Sequence, residues 1–161
     1  MQNSGSPEKD ESPFKHESAD DGPGWLLYKV TVLWQQKLGA IFASFGIYQT
    51  QYAILASLKY FEEKGEASTQ SHLVEHARID KMTLSKAVRA LDDAGYVSRS
   101  DSKKDARAVS VKLTARGRKL VSSAIRAIAQ ADEEFFGCLN QETRVQYKSI
   151  ARTLIENNSK R

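Results

Sequence analysis

The sequence predicts an α+β fold that is mainly helical, and three observations carry that expectation. Apolar residues recur at three- and four-residue spacing through most of the chain from Trp25 onward. Capping residues, Thr69, Asp80, Thr114 and Asn140, stand just ahead of such stretches. A short alternating run, Val109, Val111 and Leu113, follows a charged loop and reads as one arm of a β-hairpin.

The elements follow in order. Residues 1–22 are rich in Ser, Asp, Glu, Pro and Gly, with Phe14 the one large apolar side chain, so they are expected to form a disordered acidic tail. From Trp25 a helix carries Leu27, Val30, Trp34, Leu38, Ile41 and Phe45 on one stripe and stops at Gly46. It is apolar enough to be either a core helix or a helix shared with a second chain. Thr50 is the expected cap of the next helix, with Ile54, Leu55, Leu58 and Phe61 on one side and a Gly-containing turn, EEKGEAS, at its end. Thr69 caps a short helix, Arg78 and Ile79 form a turn, and Asp80 caps a further helix closed by Gly95. In that helix Leu84, Val88 and Leu91 face inward. Two strands, 96–100 and 108–113, enclose a loop at 101–107. Thr114 then caps a long helix with Val121, Ile125, Ile128 and Phe135 on its stripe, and Asn140 caps a last one carrying Tyr147, Ile150 and Leu154.

Length and charge bound the function. The 161 residues suit about one domain, here taken as 23–161. The single cysteine, Cys138, allows no intrachain disulfide. The start has neither the basic region nor the apolar core of a signal peptide, and no apolar run approaches a membrane span. A soluble cytoplasmic protein without a membrane partner is expected. Two bases against six acids leave residues 1–22 at −4, so the rest of the +4 chain carries +8. A basic body points to an anionic partner.

A short helix, a tight turn and a second helix make a helix-turn-helix, and a charged hairpin directly after it makes a wing. Such a hairpin sets cations beside a helix able to enter a major groove. The chain therefore reads as a winged helix-turn-helix, with a DNA-binding unit at 47–115.

These residues resemble the MarR family of transcription regulators. Gln51-Tyr52-Ala53-Ile54-Leu55 is similar to the family's Gln-Trp-x-x-Leu helix, and Thr69-Gln70-x-x-Leu73 to the start of its third helix. Asp80-Lys81-Met82-Thr83-Leu84-Ser85-Lys86, with Leu91, Gly95 and Arg99 following, resembles the recognition helix and its exit. Asp105-Ala106-Arg107, with Val109, Val111, Leu113, Thr114 and Gly117, resembles the wing signature. Three departures stand out: Ala106 where the family often has Arg, Tyr48 where it has a capping Thr, and Ala77-Arg78 where the turn usually holds Gly. The resemblance implies a two-fold homodimer on pseudo-palindromic double-stranded DNA. It also implies a small aromatic or phenolic effector bound between the dimer helices and the winged part. The dimerisation helices would be 24–46 and 116–158, with Trp25, Trp34, Phe135, Phe136 and Tyr147 exceeding what a thin winged domain needs for its own core.

The proposed contacts follow from side-chain chemistry. Thr83, Ser85, Lys86 and Arg89 lie away from the inward face; Lys and Arg suit guanine O6 and N7, and hydroxyls suit bases or phosphates. Thr69 and Gln70 sit at a helix start, where free amides favour a phosphate. Lys103 and Lys104 are phosphate partners, and Arg107 is the minor-groove residue. Asp105 orients Arg107 or pairs with Arg99.

Other readings remain beside this one. The same scaffold could serve protein contact, with its charges merely solvated. His72, Glu75 and His76 match H-x-x-E-H, a zinc-enzyme pattern, and make His72 and His76 weak metal candidates. They lack an evident third ligand and fall inside the helix-turn-helix. Cys138 beside Phe135, Phe136 and Leu139 reads as a small core residue, with redox sensing the alternative. No Gly-rich phosphate loop and no suggestive Ser/His/Asp spacing is present, so neither catalytic residues nor a cofactor are expected.

Overall fold

The computed structural model describes residues 21–101 and 109–159. Among them run six helices and two strands: α1 (Pro23–Ser44), α2 (Gln49–Glu63), α3 (Gln70–Ala77), α4 (Lys81–Asp93), β1 (Val97–Asp101), β2 (Val109–Leu113), α5 (Ala115–Phe135) and α6 (Gln141–Asn158). α1 crosses from a first unit, which ends at Gln35, into a second, Gln36–Arg161. The acidic tail expected at 1–22 lies, up to residue 20, outside the described residues.

In the second unit one apolar core joins α2, α3, α4, both strands and α5. Ile54, Leu55, Leu73, Leu84, Val88, Leu91, Val111 and Val121 are fully buried there. Truncating any of these leucines to Ala would cost about 2–5 kcal/mol. The strands pair antiparallel, with Val97 opposite Leu113 and Arg99 opposite Val111. The segment leading into α3 leans on the far edge of β2. Val111 N–H donates to Ser68 O at 3.1 Å, Ser68 Oγ donates to Val111 O at 2.8 Å, and Thr69 bridges Ser110. β2 is therefore bonded on both sides.

Four expected caps form as the sequence suggests, Asp80 Oδ1 accepting from Thr83 N–H. Thr69 Oγ1 accepts from His72 N–H, Thr114 Oγ1 from Gly117 N–H, and Asn140 Oδ1 from Thr143 N–H. α2 differs. Its N-cap is Tyr48 rather than Thr50, and Gln51 Oε1 reaches back to accept from Tyr48 N–H at 2.9 Å. Gln51 thus provides the returning half of a capping box without a capping hydroxyl. The stripe of α5 also differs. Gly117, Val121, Ala124 and Ala131 are its buried residues, while Ile125 is 38% exposed. Small residues let α5 approach closely, so its inward face is not its largest one. In α1 the buried residue is Phe42, against Tyr52 of α2 at 5.1 Å between ring centres, rather than a member of the expected stripe.

Gly117 shows how close that approach is. A Cβ built there would lie 1.9 Å from Tyr96 O, a backbone atom that cannot swing aside. Around it, Thr114 Oγ1 donates to Gly95 O at 2.8 Å, and Arg116 donates to Ala94 O at 3.1 Å while lying over the Tyr96 ring. The start of α5 is seated on the exit from α4. Gly117→Ala should therefore lower unfolding free energy by about 3 kcal/mol, the upper part of the usual overpacking range. The loss would read as a lower urea midpoint at unchanged slope; an unchanged midpoint would contradict this seating.

Candidate nucleic-acid interface

α3 and α4 pack on one another across a turn at Arg78 and Ile79. Arg78 takes the left-handed conformation at φ 52° and ψ 42°, the geometry glycine fills most cheaply. The turn keeps its shape with an arginine in place of the expected Gly, at some cost in backbone strain.

α4 starts at Asp80, whose Oδ1 accepts from Thr83 N–H at 2.9 Å. Those hydrogen bonds to Thr83 hold the Asp80 carboxyl below its ordinary pKa. Leu84, Val88 and Leu91 are fully buried beneath the helix. Thr83, Lys86 and Arg89 are exposed, and Ser85 is half-buried at the edge. Thr69 and Gln70, half-buried at the start of α3, hold the cap and the first helical position.

The hairpin base leaves α4 directly. Arg99 Nε donates to Asp92 Oδ2 at 2.7 Å, so β1 is pinned to the last turn of α4. The expectation that Asp105 orients Arg107 or pairs with Arg99 falls on residues outside those described; among the described residues the partner of Arg99 is Asp92. Lys103, Lys104, Asp105 and Arg107, at the tip, lie outside the described residues. The bases flanking the tip, β1 and β2, are fixed against α4 and α2 respectively.

Trp25 is 45% exposed and stacks on Tyr28 at 5.1 Å, while Trp34 is half-buried. Phe135, Phe136 and Tyr147 form one cluster at the α5–α6 junction, with Phe136 about 5 Å from each of the other two rings. Part of their apolar surface is thus spent holding that junction. Arg144 reinforces it, donating to Phe136 O at 3.0 Å and to Glu133 Oε2 at 2.7 Å; the same bond holds the Glu133 carboxyl below its usual range. α6 buries none of its residues, and Val145, Ile150, Leu154 and Ile155 stand exposed along it.

His76 Nδ1 lies 2.9 Å from Ser57 Oγ, and its ring stacks on Tyr60. Ser57 Oγ already donates its one proton to Ala53 O at 2.8 Å, so the His76 nitrogen acts as donor. That nitrogen is committed to packing α3 on α2. Among the described residues no group of three or more His, Cys, Asp or Glu side chains is placed to hold a metal. Cys138 is exposed, not a core residue; it sits in the short connection between α5 and α6. No helix among the described residues is long and apolar enough to cross a membrane.

A cleft of about 410 Å³ opens beside this unit, lined by Leu58 and Glu62 of α2, Ser68, Lys112 and Leu113 of β2, and Arg118 of α5. Arg118 Nε donates to Glu62 Oε1 at 2.6 Å across it.

A family profile described as "ArnR1-like, winged-helix domain" matches residues 43–129. An uncharacterized HTH-type transcriptional regulator of Bacillus subtilis, YdcH, is 34% identical over 122 residues, covering 76% of this chain and 83% of its own. The chain belongs to the MarR family of winged-helix transcription regulators. Two solved structures share its fold. Bordetella bronchiseptica BpsR, whose DNA binding is regulated by 6-hydroxynicotinic acid, superposes with a TM-score of 0.73 at 22% identity, over 86% of this chain and 96% of its own. An Escherichia coli MarR mutant complexed with operator DNA gives 0.71 at 20%, over 82% and 92%. The protein is thus a transcriptional regulator with a DNA-binding winged helix.

The polar residues of α4 were legible because a helix with a clean inward face leaves only one outward face. Met82, exposed in the first turn of the same helix, was passed over because it offers no charge or hydrogen bond.

The Asp80 cap yields a pH prediction for this MarR-family helix. A carboxyl whose folded pKa is depressed contributes stability in full above its unfolded value, near pH 4, and loses it as pH falls through the lower folded value. Asp80→Asn keeps a good cap without the titration. Its unfolding free energy should decline less than wild type between pH 5 and pH 3, both figures being about one unit either side of the carboxylate range. Parallel acid profiles would show that Asp80 does not titrate in the cap.

Proposed function

We propose that this regulator binds double-stranded operator DNA as a homodimer, with α4 in the major groove and the hairpin tip on the flanking backbone and minor groove. One observation carries the reading. Lys86 and Arg89 are exposed on the side of α4 away from Leu84, Val88 and Leu91, and β1 is tied to that helix by Arg99 and Asp92. Lys86 and Arg89 suit guanine edges; Thr83 and Ser85 suit bases or phosphates. Thr69 and Gln70 present helix-start amides to a phosphate. Lys103 and Lys104 neutralise phosphates, Arg107 enters the minor groove with Asp105 orienting it, and Arg99 steadies the wing through α4. Such a protein works where the genome is, in the cytoplasm.

The dimer is supported by what the chain leaves uncovered. Leu27 and Leu33 in α1, and Ile150 and Ile155 in α6, are each more than half exposed, more apolar surface than scattered single residues explain. A second copy is the occupant that two recognition helices about one DNA turn apart require. Residues 24–46 and 116–158 would supply it, Trp25, Trp34, Phe135, Phe136 and Tyr147 among them.

A duplex selected from a random pool tests both parts. Binding should fall by about a thousandfold or more between 50 and 200 mM salt. Arg89→Ala should weaken it by about tenfold and relax preference at one base pair per half-site, and Ile150→Glu should yield monomers that no longer bind tightly. Salt-independent retention, or tight binding by monomers, would instead favour a protein-contact module.

The effector is assigned to the cleft between α2, β2 and α5. Leu58 and Leu113 offer apolar walls and Lys112 a cation, and a small aromatic acid would take Arg118 from Glu62, its present partner. Benzoate should lower duplex affinity of the wild type and leave Arg118→Ala unaffected; equal responses would move the effector elsewhere.

A further inference from the structure

We propose that Met82 reads a thymine, packing its thioether side chain on the C5-methyl group in the major groove and fixing an A·T pair in each half-site of the operator. The inference rests on the DNA-binding reading above and adds to it a base that hydrogen-bonding residues alone would not specify.

The placement of Met82 carries the idea. At 100° per residue, Met82, Lys86, Arg89 and Asp93 fall within a narrow arc, centred opposite Leu84, Val88 and Leu91. The three opposite residues are fully buried, whereas Met82 is 73% exposed. Single exposed apolar side chains are common on protein surfaces. Met82, however, occupies the middle of the face that Lys86 and Arg89 share, and it lies in the first turn. The N-terminal residues of a recognition helix are the ones that reach base edges. Its neighbours have other tasks: Asp80 caps the helix, and Thr83 supplies the capped N–H.

The ligand follows from chemistry. Methionine cannot donate a hydrogen bond and its sulfur accepts weakly, so it gains little from phosphates or from guanine and adenine edges. The apolar group that base pairs present in the major groove is the thymine methyl. An unbranched thioether with three rotatable bonds can follow that methyl while Lys86 and Arg89 hold their own partners.

The test uses duplexes selected by the wild-type protein, with each thymine replaced in turn by deoxyuridine. That change removes the methyl and leaves base pairing intact. One position per half-site should lose about fourfold in wild-type affinity, the worth of one buried methyl-sized group. Met82→Ala should bind the thymine and uracil duplexes equally, and Met82→Leu should keep the discrimination. Unchanged thermal unfolding of both variants shows that the loss is not one of folding. Tight wild-type binding that ignores every uracil, or discrimination that survives Met82→Ala, would overturn the role of Met82 alone. Failure of the wild type to select any duplex would overturn the DNA reading as well.

Discussion

The winged unit depends on β2 being bonded on both edges. Val111 pairs with Arg99 on one side and exchanges two hydrogen bonds with Ser68 on the other, while its side chain is fully buried among α2, α3 and α4 residues. Ser68 precedes Thr69, which caps α3. The start of α3 is therefore set by the strand that carries one arm of the wing. A hairpin of two strands alone is marginal in water. This one gains a third extended segment and an apolar floor, so its base is fixed. Charges at the tip need that fixity, since a mobile cation pays ordering entropy on each encounter.

Charge is distributed along α4 in a way that suits an anionic partner. The first turn carries Asp80, an acid that would repel phosphates if it stood free, but its oxygen is bonded to Thr83 N–H. Lys86 and Arg89 follow in mid-helix, and Asp92 at the far end is occupied by Arg99. Two of the acids on or beside the helix are thus spent on structure, and they hold the elements that present the cations. A part-exposed pair such as Arg99 with Asp92 contributes up to about 1 kcal/mol. Its larger effect is geometric, because it fixes the angle at which β1 leaves α4.

How much of this was readable from the sequence varies by element, for physical reasons. Leu84, Val88 and Leu91 are large, evenly spaced and flanked by Asp80 and Gly95, so α4 and its outward face were legible. The hidden face of α5 was not, because Gly117, Ala124 and Ala131 are buried for their smallness and periodicity weighs large side chains. The cap of α2 was misplaced because Tyr48 has no capping hydroxyl near its backbone; the signal was Gln51, three residues on. The Arg99–Asp92 pair was not legible, because the two residues lie seven apart on different elements and only folding brings them together. Met82 was overlooked because a search for charge and hydrogen bonds does not see an apolar reader.

α5 joins the winged unit to α6. Its first turn is seated on Tyr96, where only glycine fits, and its last turn leads to the Phe135, Phe136 and Tyr147 cluster that carries α6. Its 21 residues span about 32 Å at 1.5 Å each. A helix of this length with a rigid joint at each end acts as a strut. α6 beyond it buries none of its residues, and amphipathic helices draw most of their stability from packing. Under the proposed dimer, forming α6 and covering it are one energetic event. The strut would then carry the position of the covered end to the winged unit, so the separation of two recognition helices follows from how two copies of α6 and α1 pack. A ligand lodged beside Arg118, near the seated end of the strut, would act on that separation through a small tilt, without touching any residue that reads DNA.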